Sequence, residues 1–131
     1  MKSIALATIF AAFCQPSFAC NYDLMTLTNW EIAPKSETQN ILSTAFVYNG
    51  DRAIRMIDAS ANFSDVLGGR IASFELDRDL RIEPGEQFNQ TGLWGMFTFE
   101  RLLEMEKSDV ETSVCVKGIV YADGTLESFE Y

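Results

Sequence analysis

Histidine is missing from all 131 residues, and with it the commonest general base at neutral pH and the commonest protein ligand for transition metals. Serine–histidine and cysteine–histidine catalytic arrangements are therefore excluded. Cysteine is scarce: Cys14, Cys20 and Cys115 are the three in the chain, too few soft ligands for a zinc cluster. Basic residues are outnumbered, with 10 Lys and Arg against 19 Asp and Glu for a formal charge of −9. That balance argues against nucleic acid or anionic lipid as a partner, because their phosphates would be repelled. No glycine pattern suits a phosphate either, since Gly68-Gly69 falls between two candidate strands rather than between a strand and a helix. With no activated nucleophile, metal set or cofactor motif in view, the chain is not expected to be an enzyme, and neither a cofactor nor a metal is expected.

What is present begins with an export signal. Met1-Lys2 gives a positive start, Ser3 to Phe13 is apolar apart from Ser3 and Thr8, and Gln15-Pro16-Ser17-Phe18-Ala19 ends in small residues of the kind a signal peptidase reads. The apolar run is about half the length of a membrane-spanning helix, and no later run is long enough to be a transmembrane segment. The expectation is a signal peptide over residues 1–19, cleaved after Ala19, and one periplasmic or secreted domain over residues 20–131; the competing reading makes the run a buried first element. Cys14 would leave with the leader. Cys20 and Cys115 remain for a disulfide in an oxidising compartment. Two alternatives stay open: a pair of unrelated thiols, or a lipid anchor at Cys20, against which Ser17 stands where lipoprotein sites usually have Leu.

The rest reads as short alternating segments between turn signals, the pattern of an all-β protein. Candidate strands run from Tyr22 to Ile32 and from Ile41 to Tyr48, the latter followed by Asn49-Gly50, a pair suited to the positive φ angles of a tight hairpin. Ile57, Ala59, Ala61 and Phe63 alternate with Asp58, Ser60, Asn62 and Ser64, a period of two with one wet face. After Leu67-Gly68-Gly69, the alternation of Ala72, Phe74 and Leu76 with Ser73, Glu75 and Asp77 continues through Leu80 and Ile82 until Pro84-Gly85 stops it. Phe88 to Leu93 is a weaker strand, and residues 100–107 fit a strand end or a short helix equally well. Val110 to Tyr121 is the last long strand, with Val110, Val114, Val116 and Val120 on one face and Cys115 on the wetter one. Ala122 to Thr125 turns the chain into a closing strand, Leu126 to Tyr131. The fold class is an all-β, immunoglobulin-like antiparallel β-sandwich of about seven strands.

Four stretches resemble the exported immunoglobulin-like modules known as FxLYD-type domains: Val47-Tyr48-Asn49-Gly50-Asp51, the Ile57-x-Ala59-x-Ala61-x-Phe63 strand, Gly68-Gly69, and Ile82-Glu83-Pro84-Gly85-Glu86. They lie within about a third of the chain and are mostly turn and core signals. The resemblance implies a binding or accessory module without catalytic residues of its own. The chain departs from it at Trp94 to Phe99 and in the acidic stretch that follows.

Two residue groups invite a functional reading. Glu75, Asp77 and Asp79 alternate in sequence and, on a strand, would face a hard cation together; a solvated, ion-paired face with Arg78 and Arg81 is the plainer reading. Trp94, Met96, Phe97 and Phe99 form the densest aromatic cluster, beside Gly92 and Gly95. Exposed, this candidate binding patch would dock an envelope or secreted protein; lining a pocket, it would carry a small hydrophobic ligand; buried, it would fill the sandwich. Two N-glycosylation sequons, Asn62-Phe63-Ser64 and Asn89-Gln90-Thr91, matter only in a eukaryotic secretory pathway.

Overall fold

A computed structural model of the chain describes residues 20–129. The expected leader, Met1 to Ala19 with Cys14, lies outside the described residues, as do Glu130 and Tyr131. Seven strands follow in order: β1 (Met25–Pro34), β2 (Gln39–Tyr48), β3 (Ile54–Asp65), β4 (Arg70–Glu75), β5 (Gln87–Gly95), β6 (Val110–Tyr121) and β7 (Leu126–Ser128). They build two antiparallel sheets, β1-β2-β5 and β4-β3-β6-β7. This is the expected all-β sandwich; relative to an antibody constant domain, the fourth strand pairs with the third instead of joining the first sheet.

Side-chain parity explains why the sheets face each other. On β3, Ile57, Ala59, Ala61 and Phe63 are buried while the residues between them face outward. Leu42, Phe46 and Tyr48 of β2 meet them from the other sheet, and all join one core. Each large apolar side chain fully buried this way contributes about 1.5–3 kcal/mol.

Three sequence expectations are corrected. Asn49-Gly50 is no hairpin: β2 and β3 lie in different sheets, and no positive φ occurs at either residue. The segment is a crossover, tied by the Asn49 side chain, whose amide donates to the Asp23 carbonyl (3.0 Å) and the Thr26 hydroxyl (2.9 Å). Second, the alternation from Ala72 to Ile82 is not one strand. β4 ends at Glu75, where Asp77 accepts the Asp79 N–H (3.0 Å) in a side-chain-capped turn. Leu76 and Ile82 are still buried, Ile82 through an isolated bridge to Ile54, so the apolar period survives where the strand does not. Third, Val120 does not share a face with Val114 and Val116. β3 pairs Asp58 with Gly118 but Ala59 with Val116, leaving Lys117 as an extra residue in β6. That bulge flips the parity, so Ile119 and Tyr121 turn inward and Val120 outward. The closing strand is also shorter than expected, ending at Ser128.

Cys115 lies between the inward Val114 and Val116, so its sulfur points away from the sandwich core, as its parity predicts. Cys20 and Cys115 stand at disulfide distance, Cα to Cα 4.9 Å across a sequence separation of 95. Beside them, Asn21 and Val116 exchange backbone hydrogen bonds of 2.9 and 3.0 Å, which lay the segment at Asn21 on the free edge of β6. Breaking this link by Cys115→Ser is expected to cost roughly 2–5 kcal/mol, read from urea unfolding; an unchanged midpoint would show that the pair carries no constraint.

The end of the sandwich near the β2–β3 crossover is closed by a polar network. Tyr48 donates to the Arg52 carbonyl (2.7 Å), the Arg52 guanidinium meets Asp123 (2.9 Å) and lies 3.8 Å above the Tyr121 ring, and Tyr121 donates to the Glu127 carboxylate (2.6 Å). Burial pushes both tyrosines above their ordinary range, Tyr121 further through its bond to Glu127. Asp123 is held down at about 2 by the Thr125 hydroxyl and N–H and by Arg52. A raised tyrosine favours the folded state fully below the unfolded pKa of about 10 and loses that contribution as pH rises through the folded value. Stability is therefore expected to fall above about pH 10, and less steeply in Tyr121→Phe, as measured by unfolding midpoints across pH 8–12.

Candidate functional site

The aromatic cluster is divided by the structure. Trp94 lies near the end of β5, and Thr98 donates to the Gly95 carbonyl (3.1 Å), so the chain reverses before the 3₁₀ turn Glu100–Leu103. The reversal sends its members opposite ways. Phe99 is 0% exposed and meets Trp94, Phe63 and Phe74 with ring centroids 5.3, 5.6 and 6.3 Å away, all edge to face. Trp94 is half-buried and packs against Phe74 at 5.9 Å. Phe97, by contrast, is 76% exposed, and Met96 38%. Phe99 thus belongs to the core, Trp94 seals its rim, and Met96 and Phe97 stand outside.

Leu93, near the end of β5, is also 52% exposed and is not among the residues that the sequence pattern marks. Its signal lay in strand parity: Phe88, Gln90, Gly92 and Trp94 turn toward the sandwich, so Gln87, Asn89, Thr91 and Leu93 turn away. Leu93 pairs with Ile41 and Ile41 with Ala33, giving an apolar row across the outer face of the three-stranded sheet.

The patch is held from behind. Leu102 is buried, and Arg101, in the same turn, meets the Asp65 carboxylate at 3.2 Å. Asp65 also accepts N–H groups of Gly69 (2.9 Å) and Leu67 (3.0 Å); Gly69 first, then Arg101, holds its carboxyl below the ordinary range. Gly69 fits this turn because a Cβ there would press on the Asp65 carboxylate. Beyond the turn, Lys107 donates to the Trp30 carbonyl (2.5 Å), Asn29 (2.9 Å) and Glu31 (2.6 Å) and lies 5.0 Å from the Trp30 ring centroid. Residues 100–107, which as sequence fit a strand end or a short helix equally well, form the 3₁₀ turn Glu100–Leu103 and lead into a second, Lys107–Asp109.

Glu75, Asp77 and Asp79 do not share a strand face, because β4 ends before the latter two. Gln90 links the first two instead, accepting the Asp77 N–H and donating to the Glu75 carbonyl, each at 3.3 Å, while Arg78 pairs with Asp58 at 3.6 Å. No group of three or more metal-ligating side chains is assembled among the described residues. Nor is any helix among them long and apolar enough to cross a membrane. An open hollow of about 630 Å³ is bordered by Trp94, Phe74, Arg70, Ser73 and Glu75. A second apolar strip sits elsewhere, where Met56, Val120 and Leu126 pair in a row across the outer face of the four-stranded sheet.

No family model, curated protein or solved structure matches the chain.

Two substitutions separate the rim from the core. Phe99→Ala is expected to cost about 3–5 kcal/mol, whereas Phe97→Ala should stay within about 0.5 kcal/mol. Guanidinium unfolding of both variants checks the division; equal losses would place Phe97 inside.

Proposed function

We propose that the protein is an exported, non-enzymatic binding or accessory module, periplasmic or secreted, that works by protein–protein contact. The observation that carries this reading is the exposed Phe97, with its neighbour Met96 and, four residues earlier, Leu93 also exposed in a chain of formal charge −9. A large aromatic left in water next to other apolar side chains is the composition of a binding hot spot rather than of ordinary surface. The resemblance to FxLYD-type modules supports the same role. The leader over residues 1–19 and the proximity of Cys20 to Cys115 support export, since a bond between those sulfurs persists only where thiols oxidise.

A second reading, a carrier of a small hydrophobic ligand, rests on the hollow bordered by Trp94 and Phe74. Phe99, fully enclosed, offers that ligand no surface, and protein contact is the better supported of the two.

The intact mass of the exported protein is expected to lack residues 1–19 and to fall two hydrogens below the dithiol form; a diacylglycerol increment would assign Cys20 to a lipid anchor instead. Immobilised protein should capture a defined partner from envelope extract or culture medium, and Phe97→Asp should reduce that capture at least tenfold without lowering the unfolding midpoint. Equal capture by Phe97→Asp would refute the role of the patch, and no capture by the unmodified protein would refute the reading itself.

A further inference from the structure

The sheet edges of this sandwich are unequally guarded. β1 carries a register shift between Leu27 and Asn29, ends in Pro34, and has its Trp30 carbonyl occupied by Lys107. β4 is 6 residues long with Arg70 and Glu75 at its ends, and β7 is 3 residues long. Bulges, prolines, charges and short length are the devices that stop an edge from pairing with another chain. β5 has none of them. It runs for 9 residues in unbroken register with β2, and no charged residue occurs from Gln87 to Phe99.

Its free hydrogen-bonding groups follow from the ladder. Tyr48 N–H reaches the Glu86 carbonyl and Met96 N–H the Thr38 carbonyl, so the even-numbered residues of β5 bond to β2. By the antiparallel alternation, Gln87, Asn89, Thr91 and Leu93 direct N–H and C=O away from the sheet, and no strand among the described residues pairs with them there.

We propose that β5 is a strand-addition site, taking an extended segment of the protein partner; the proposal rests on the protein-contact function above and specifies how that contact is made. The segment's chemistry follows from what surrounds the edge. Its centre is uncharged, with alternate apolar side chains placed to meet Leu93 on the outer face and Phe97 just beyond the end of β5. Its flanks are basic: Glu86 and Glu100 bracket the uncharged run in sequence and Glu75, Asp77 and Asp79 lie at and beyond the end of β4, outnumbering Arg70 there, while Arg78 and Arg101 are already paired with Asp58 and Asp65. A second copy of the chain fits worse. Two copies of an acidic chain, −9 over the full sequence, repel each other and offer no basic flank to the acidic surroundings of β5.

The test uses the purified protein and a synthetic peptide with a central Thr-Val-Thr-Leu-Thr-Val-Thr run and two lysines at each end, followed by amide chemical shifts and hydrogen exchange. Binding should slow exchange at Asn89, Thr91 and Leu93 at least tenfold, and the same run flanked by glutamates should bind at least tenfold more weakly. Thr91→Pro removes an outward N–H that the fold does not use, so its unfolding midpoint should hold while peptide binding is lost; Leu93→Lys provides a second block should the proline distort β5. The proposal is overturned if the peptide does not bind, if the shifts map elsewhere, or if both variants bind as well as the unmodified protein. Protection of the same amides with rising protein concentration, without peptide, would overturn it in favour of self-association. Failure here is separable from failure of the broader function: a captured natural partner that is lost with Phe97→Asp but kept by Thr91→Pro leaves protein contact standing and removes strand addition alone.

Discussion

The contact on which the rest of the structure depends is the set of aromatic rings between the two sheets. Phe63 is fully enclosed and touches Trp30 of β1, Phe74 of β4 and Phe99 from the segment after β5, with centroids 5.6–6.3 Å apart. Phe46 continues the chain to Phe74 and stacks on Phe88 at 5.0 Å. Rings of this size bury large apolar areas and prefer the edge-to-face arrangement most of them adopt here. The consequence for function is geometric. Phe99 has to enter this group from a chain that has just left the sheet at Gly95, and the tight reversal between them holds Met96 and Phe97 on its outer side. The exposed patch is a by-product of the packing that buries its neighbour.

Much of this was legible in the sequence wherever a strand keeps a strict period of two. β3 shows the pattern in its plainest form, and the parity of β6 correctly set Cys115 on the outer face. The failures have one physical origin: a sequence records periodicity but not the third dimension that interrupts it. Lys117 fits the alternation of β6 perfectly well as letters, and only the pairing with β3 makes it surplus. Asn49-Gly50 is as good a hairpin signal as the chain contains, yet the Tyr48 ring and its bond to the Arg52 carbonyl occupy the space beside Gly50 and turn the chain to the other sheet. The aromatic cluster was visible as a cluster, but which of its members faced water depended on a turn whose residues, Gly95 to Thr98, carry no strong conformational preference other than the glycine.

Charge and edge protection are distributed together. Lys107 serves the bulged edge of β1, Arg101 fastens the segment after β5 to the β3–β4 turn, and Arg52 joins the β2–β3 crossover to the β6–β7 hairpin. Three of the few cations in an acidic protein are thus used to hold connections between elements rather than to decorate a surface. Exposed pairs of this kind add little stability singly; their effect is to fix where irregular segments lie. β5 receives no such treatment, and an acidic protein gains some protection there simply because copies of itself repel.

The placement of Cys20 and Cys115 completes this division of labour. A disulfide inside the sandwich would duplicate what the aromatic rings already do. On the outer face it acts on something the core cannot reach, the segment around Asn21, which lies along the free edge of β6 before crossing into β1. Pinning that segment closes the β6 edge beyond the 3 residues of β7, so covalent, electrostatic and steric means are each spent on a different border of the two sheets. The border that all of them leave open is the one beside Phe97. Among the described strands the other edges each carry a bulge, a proline, a charge or short length, and it is this contrast, an uncharged edge adjoining an exposed aromatic, on which the proposed strand addition rests.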